Sequence, residues 1–270
     1  MKNYPHILSK VFREPWLITK EKHETIQQIL EAHLSGDAAA VDFPEDADSG
    51  APDPVVIGST MIMPIHGVIG KHLSNMELLC GGFCLDRLSE WIDKAENNWQ
   101  IKSVVMDFRS PGGTVTGVPE AADKISKMSK DVLAFTDDQC CSAALWLASQ
   151  ADEFFCTESA IVGSVGVYSI YTDRSKQLEE DGIKVNPISS GKYKLAGAWF
   201  KPMTDDERKM LQARCDSIYE KFKTAATAVR KVDDEFLQGQ VFYGDEAAKI
   251  GMVSGLVDSM EDVLALTAKR

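Results

Sequence analysis

Short apolar runs alternate with amphipathic segments along most of the chain from Val55 onward. The runs that suit buried strands are "VVIGSTMIMPIHGVI", "IKSVVMDFRS", "DVLAFTDD", "DEFFCTE", "AIVGSVGVYSIY" and "IKVNPIS". The segments with helical spacing of apolar residues are "CLDRLSEWIDKAENN", "VPEAADKISKMS", "AALWLASQA" and "RSKQLEEDG". Strands that alternate with helices in this way predict an α/β domain, residues 55–270, with a mostly parallel sheet and helices outside.

A long helix is predicted near the end of this domain, in "TDDERKMLQARCDSIYEKFKTAATAVRKV". Thr204 followed by Glu207 fits a capping box at its start. One face of the helix carries the apolar residues Leu211, Cys215, Ile218, Phe222, Ala226 and Val229. The following "GQVFYGDEAAKIGMVSGLVDS" predicts a turn and a short helix that returns to a strand.

The first 54 residues differ from the rest in pattern. Residues 1–36 predict a short extended stretch and then a helix with Thr19 as its N-cap, which together form an N-terminal helical arm. Residues 37–54 are acidic and rich in Ala, Asp and Pro, which predicts a flexible linker.

Composition narrows the function classes. The net charge of −12 disfavours sequence-independent nucleic-acid binding and docking on an anionic membrane, since both need a basic face. There is no run of 18 apolar residues and no signal-peptide pattern at the start, so we expect no membrane anchor and a cytoplasmic location. Six cysteines in a chain of this length fit a reducing compartment.

A metal site has one weak candidate, the pair in "CGGFC", Cys80 and Cys84. No second Cys/His pair with ligand spacing accompanies it, so two small packed side chains are the simpler interpretation. We expect no metal and no cofactor.

The stretch "DDQCCSAALWLASQAD" places Cys140, Cys141 and Ser142 where a strand gives way to an alanine-rich helix. A side chain there lies near a helix N-terminus, where free N–H groups favour a developing oxyanion. Ser142 can be a nucleophile, or it can merely cap the helix. "DFRSPGGT" offers a second feature, because its paired glycines can bring backbone N–H groups close to a ligand or simply form a tight turn.

A nucleophilic serine needs a base, and the histidines do not supply one readily. Three of the five lie before the linker, and no carboxylate that would orient His66 or His72 is evident, so a Ser-His-Asp triad is poorly supported. Lys192 and Lys194 in "SSGKYKLAG" are the other candidates. A lysine can act as a base only if burial keeps it neutral, and without further information two solvated loop lysines are the simpler interpretation.

The ordered set "SPGG", "CSAALWLASQADEFFCTESAIVGSVGVY", "SSGKYK" and "GQVFYGDEAAKIGMV" resembles the S49 peptidases, the signal peptide peptidase A family. The opening "YPHILSKVFREPWLITKEKHETIQQIL" is similar to the arm of the phage capsid-assembly protease branch. The resemblance covers nearly the whole chain. It implies a ClpP/crotonase-like fold of repeated ββα units behind an N-terminal helical arm.

Carried over by motif, the resemblance implies a Ser-Lys dyad of Ser142 and Lys194. Ser164 in "GSVGV" would hydrogen-bond the lysine amine, and the N–H groups of Gly113 and Ala143 would hold the oxyanion. Ala143-Ala144-Leu145 replaces the Gly-Gly-aromatic segment of many members, which affects the expected shape of the specificity pocket.

The function that the resemblance implies is a serine endopeptidase that cuts extended segments of a phage scaffold or head protein during capsid maturation. It would work as a homo-oligomeric ring in the host cytoplasm or procapsid. Three alternatives stay open: a cytoplasmic housekeeping peptidase of the signal-peptide-peptidase type, a crotonase-like acyl-CoA enzyme, and a non-catalytic portal-associated or scaffold protein with the same fold. Ser142, Ser164 and Lys194 together favour a peptidase over the acyl-CoA enzyme.

Overall fold

The structure is a computed structural model. It describes residues 15–20, 22–24, 26, 27, 52–79 and 81–269. Most of the expected arm and nearly all of the expected linker therefore lie outside the described residues. Residues 20, 22–24, 26 and 27 are helical, which agrees with the helix predicted after Thr19.

The described chain contains thirteen strands. They are β1 Trp16–Ile18, β2 Val55–Ile57, β3 Thr60–His66, β4 Val68–Gly70, β5 Gly82–Cys84, β6 Ser103–Arg109, β7 Gly112–Thr114, β8 Asp131–Thr136, β9 Gln139–Cys141, β10 Glu153–Cys156, β11 Ile161–Gly163, β12 Val241–Tyr243 and β13 Gly255–Leu256.

Eight α-helices of the described chain carry labels here. They are α1 Asn75–Leu79, α2 Leu85–Glu96, α3 Val118–Ser126, α4 Ala143–Ala148, α5 Ser175–Glu180, α6 Asp205–Ala226, α7 Gly244–Lys249 and α8 Met260–Thr267, and a 3₁₀ turn covers Asp234–Phe236.

The main sheet has six strands in the order β13-β10-β8-β6-β3-β2. Adjacent strands in this sheet run parallel to each other, except that β2 pairs antiparallel with β3. The central strand β6 is buried at every position but its last, as its apolar sequence "SVVMDFR" requires of a strand covered on both faces. The predicted α/β class with a parallel sheet is confirmed.

Two smaller sheets continue the strands of the main sheet. One has the order β1-β7-β4-β5, with β1 antiparallel to β7. The other has the order β12-β11-β9, with β9 and β11 parallel. The two sheets bring the "SPGG" turn and the Ser142 junction to one edge of the molecule, because Ser110 pairs with Cys140 in an isolated parallel bridge.

Helix α2 shows why the amphipathic segments fold as they do. Its buried residues are Leu85, Leu88, Trp91, Ile92 and Ala95, which recur every three or four positions and form one stripe against the core. The polar residues between them face solvent. Helix α6 begins at the predicted capping box: the Glu207 N–H donates to Thr204 Oγ1, and the Thr204 N–H donates to the Glu207 carboxylate.

Three predictions of detail were wrong, and one helix was missed. Residues 183–189, "IKVNPIS", form no strand, because they are exposed and pair with no strand of the described chain. Of the strand predicted over residues 160–171, only Ile161–Gly163 forms a strand. Helix α6 ends at Ala226, and the expected face residue Val229 is exposed. Helix α8 was not predicted.

Candidate active site

Ser142 lies between β9 and α4 in a backbone conformation that L-residues rarely adopt, with φ 55° and ψ −115°. Its N–H donates to the Gly163 carbonyl at 2.9 Å, which fixes the turn. The residue is only 1% exposed, and its Oγ has no hydrogen-bond partner among the described residues. A strained serine with an unpaired hydroxyl is costly, and such costs concentrate at functional sites.

The helix that follows, α4, is buried along its whole length. Its first residue is Ala143, whose N–H is one of the four that a helix leaves without an intrahelical partner. At the other end, the Arg230 guanidinium donates to the carbonyl oxygens of Ala148, Ser149 and Ala151 at 3.2 to 3.3 Å. Burial lowers the pKa of Arg230 to about 10, so it still carries its charge at neutral pH.

Ser164 lies beside Ser142. Strands β9 and β11 run parallel with Gly163 opposite Cys141, so the next residue of each strand, Ser142 and Ser164, are neighbours. Ser164 also has a positive φ, 59°, and its N–H donates to the Gln240 carbonyl at 2.5 Å. The structure therefore places two of the three predicted catalytic residues next to each other.

The "SPGG" turn packs directly against Ser142. A Cβ at Gly112, where φ is 106°, would lie 2.9 Å from Ser142 Cβ and would collide with the Leu17 carbonyl. Only glycine fits there. A Cβ at Gly113 would collide with the Ile69 carbonyl, so β7 can lie close to both neighbouring strands only because it begins with two glycines.

The Ser110 side chain holds this turn by two hydrogen bonds. Its Oγ donates to the Gly67 carbonyl at 2.6 Å and accepts from the Gly112 N–H at 3.2 Å. The predicted oxyanion donors, the N–H groups of Gly113 and Ala143, thus belong to segments that flank Ser142.

The two candidate lysines lie apart from this cluster, on the exposed loop after α5. Lys192 donates to Asp206 Oδ2 at 2.7 Å, and this hydrogen bond raises the pKa of its amine. Lys194 has no ion pair within the described part of the chain. It is not in hydrogen-bond contact with Ser142, whose Oγ is unpaired. The predicted dyad is therefore not assembled in this conformation.

Both histidines of the domain have carboxylate partners that the sequence did not reveal. His66 Nε2 lies 2.9 Å from Asp107 Oδ2, and His72 Nδ1 lies 2.8 Å from Asp86 Oδ2. The expectation that no carboxylate orients them was wrong, because the partners lie 14 and 41 residues along the chain. Neither pair provides a base for Ser142, since neither histidine hydrogen-bonds to its Oγ.

The cysteines next to Ser142 have the properties of packing residues. Cys140 and Cys141 are fully buried, and burial raises the pKa of the Cys140 thiol. Cys84 is buried and its Sγ donates to Asp86 Oδ2 at 3.3 Å, while Cys80 lies outside the described residues. Among the described residues no three His, Cys, Asp or Glu side chains lie close enough to hold a metal ion.

With this geometry in place, the comparison with protein families gives one match: the model of peptidase family S49 fits residues 124–269, more than half of the chain. The chain belongs to peptidase family S49. The matched range contains Ser142, Ser164 and Lys194, whose catalytic roles stay predictions.

Curated relatives of this S49 chain come from phages, bacteria and an archaeon. The capsid assembly protease C of Escherichia phage lambda is 25% identical over 98% of this chain and 66% of its own length. The head-tail preconnector protein GP5 of Enterobacteria phage P21 is 24% identical over 97% of this chain and 57% of its own length. A putative signal peptide peptidase SppA of Enterococcus faecium is 27% identical over 64% of this chain and 52% of its own length. The chain thus spans less than two thirds of the length of these relatives.

Solved structures resemble this chain at lower sequence identity. An enoyl-CoA hydratase from Shewanella pealeana has a TM-score of 0.47, with 10% identity over 85% of this chain and 77% of the other. A mutant of the 1510-N membrane-bound stomatin-specific protease has a TM-score of 0.43, with 12% identity over 78% of this chain and 85% of the other. None of the described helices is both long and apolar enough to cross a membrane.

Proposed function

We propose that this S49 member is a serine endopeptidase in which Ser142 is the nucleophile and Lys194 the general base. The observation that carries the proposal is the state of Ser142: a strained backbone, a buried and unpaired Oγ, and a position at the start of α4 beside the "SPGG" turn. A capping serine would use its hydroxyl on the helix N–H groups, and this one has no cap hydrogen bond.

The reaction that this arrangement supports is acyl transfer. Lys194 takes the Ser142 proton while Oγ attacks the peptide carbonyl, and the N–H groups of Gly113 and Ala143 receive the negative charge on the carbonyl oxygen. The C–N bond then breaks and the leaving amine takes the proton from Lys194. Water hydrolyses the resulting ester with the lysine again as base. Ser164, next to Ser142, would orient the lysine amine.

Assembly of the dyad requires the Lys194 loop to move toward Ser142. Residues 181–194 are all exposed, so few packing contacts resist such a movement. The loop also exposes large apolar side chains, among them Ile188 at 102% and Trp199 at 44%. We propose that these side chains are covered in a homo-oligomeric ring, and that ring formation holds the loop in its active position.

The biological role that we propose is maturation of a phage or prophage head, with a scaffold or head protein as substrate, in the host cytoplasm or the procapsid. The support is the pair of phage relatives that align over nearly the whole chain, one named a capsid assembly protease. A housekeeping peptidase and a non-catalytic head protein are the alternatives. The name of the preconnector relative favours the second of these.

Co-expression with neighbouring head genes tests this role, followed by N-terminal sequencing of new fragments. We expect fragments with the wild type and with Lys192→Ala, because Lys192 is bound to Asp206 and takes no part in the reaction. We expect none with Ser142→Ala or Lys194→Ala. Fragments that are identical in the wild type and Ser142→Ala would contradict the maturation role, and a non-catalytic protein would then be the better account.

A further inference from the structure

The N-terminal strand β1 lies in a groove between two segments of the site. On one side it pairs antiparallel with β7, the strand of the "SPGG" turn. On the other side the Trp16 N–H donates to the Tyr168 carbonyl at 2.9 Å, and the Tyr168 N–H donates back to the Trp16 carbonyl at 3.2 Å. Tyr168 follows closely after Ser164. Strand β1 is thus held on both sides, as an added β-strand peptide would be.

The register places one peptide bond of β1 at the Gly113 N–H, one of the two predicted oxyanion donors. The Thr19 N–H donates to the Pro111 carbonyl at 3.1 Å, and the Val115 N–H donates to the Pro15 carbonyl at 3.4 Å. Hydrogen-bonded pairs alternate along an antiparallel ladder, so the pair between these two, Leu17 and Gly113, is also hydrogen-bonded. The Leu17 carbonyl therefore accepts from the Gly113 N–H.

The same carbonyl lies next to the nucleophile. The space that a Cβ would occupy at Gly112 is bounded by the Leu17 carbonyl oxygen on one side and by Ser142 Cβ on the other. A carbonyl that accepts from a predicted oxyanion donor and lies close to the Cβ of the proposed nucleophile is in the position of a scissile peptide. The bond that it presents is the one between Leu17 and Ile18.

The side chains of β1 are buried as those of a bound substrate would be. Leu17 is 0% exposed and belongs to the main hydrophobic core, while Trp16 and Ile18 are 4% and 2% exposed.

We propose that residues 15–18 are an internal substrate mimic that occupies the peptide-binding groove of this site. The inference rests on the proposed function for its consequence, that β1 must leave before a substrate strand enters and before Lys194 can close on Ser142. It also assigns the specificity: the pocket beside Ser142 takes an aliphatic side chain of the size of leucine.

A reversible lock tests the proposal in the full chain. Trp16 and Thr114 face each other as a pair without ladder hydrogen bonds, where Cα atoms lie about 4.5 Å apart, a spacing that a disulfide can bridge. We expect oxidised Trp16→Cys/Thr114→Cys to hydrolyse an unfolded protein substrate at least tenfold more slowly than the same variant after reduction. Equal rates in the two states, with the bridge confirmed by mass, would overturn the proposal.

A matched control uses the hairpin β2–β3 at the far edge of the main sheet. Val56 and Met61 form the corresponding pair there, and oxidised Val56→Cys/Met61→Cys should keep the rate of its reduced form. The wild type treated with oxidant controls for its own cysteines. A loss of activity in either control equal to that of the lock would also overturn the proposal.

A second measurement does not depend on activity. A fluorescent peptide with the sequence of residues 13–19, "REPWLIT", is titrated into two full-length proteins, Ser142→Ala and Ser142→Ala/Leu17→Asp. A buried carboxylate should drive β1 out of the groove, so we expect at least tenfold tighter binding by the second protein. If this holds while no variant hydrolyses anything, the groove assignment stands and the peptidase function fails. Equal affinities would overturn the groove assignment.

Discussion

Arg230 should be among the largest single contributors to the stability of the site, because it closes the C-terminal end of the helix that Ser142 begins. Its guanidinium donates to three carbonyl groups, those of Ala148, Ser149 and Ala151. Arg230→Met keeps an unbranched side chain about as long as the aliphatic part of arginine and removes all of these donors.

The magnitude follows from those contacts. A hydrogen bond to a charged group contributes about 1.5–3 kcal/mol, and a buried carbonyl left unpaired costs about 1–3 kcal/mol. The bonds share one side chain and do not add, and the mutant is spared the cost of burying the charge. We therefore expect a loss of about 3 kcal/mol in the free energy of unfolding, or roughly 6–12 °C in Tm.

Urea denaturation followed by far-UV circular dichroism measures the free energy of unfolding. The matched control is Arg214→Met on the exposed face of α6, which should change it by less than about 0.5 kcal/mol. A loss below about 1 kcal/mol in Arg230→Met, or equal losses in the two variants, would refute the reasoning about the end of α4.

Three further predictions concern the site and its assembly. Ser164→Ala should lower turnover by about 10²-fold with the fold intact, as measured by hydrolysis and circular dichroism, since the lysine amine loses its orienting partner. At pH 8 iodoacetamide should modify half-buried Cys215 and spare Cys140 and Cys156. Burial raises the pKa of both protected thiols, that of Cys156 to about 12. Rapid alkylation of Cys156 in peptide maps would contradict its burial. Sedimentation should show a homo-oligomer, and a 29.7 kDa monomer at high concentration would argue against the ring.

The sequence predicted those parts of the fold that depend on local pattern. The buried run of β6 and the stripe of α2 are visible as apolar spacing, and the capping box of α6 is a local pair, Thr204 and Glu207. The strand expected over residues 183–189 did not form because a strand needs a neighbour, and apolar pattern alone does not show whether one is available.

The candidate site was predictable only through motif order, and its long-range contacts were not. The pairing of His66 with Asp107 joins residues on adjacent strands, and that of β1 with β7 joins residues nearly 100 positions apart in the chain. No spacing rule in a single sequence reveals such contacts. The resemblance named Ser142, Ser164 and Lys194, and the structure places the first two side by side while Lys194 stays on an exposed loop.

The most direct test of the central claim is peptide mapping by mass spectrometry after treatment with a serine-directed active-site probe. We predict one adduct, on Ser142, in the wild type and in Lys192→Ala, and none in Lys194→Ala, because an unactivated serine hydroxyl does not react. An adduct on another residue, such as Cys141, or equal labelling of Ser142 with and without Lys194, would contradict the account.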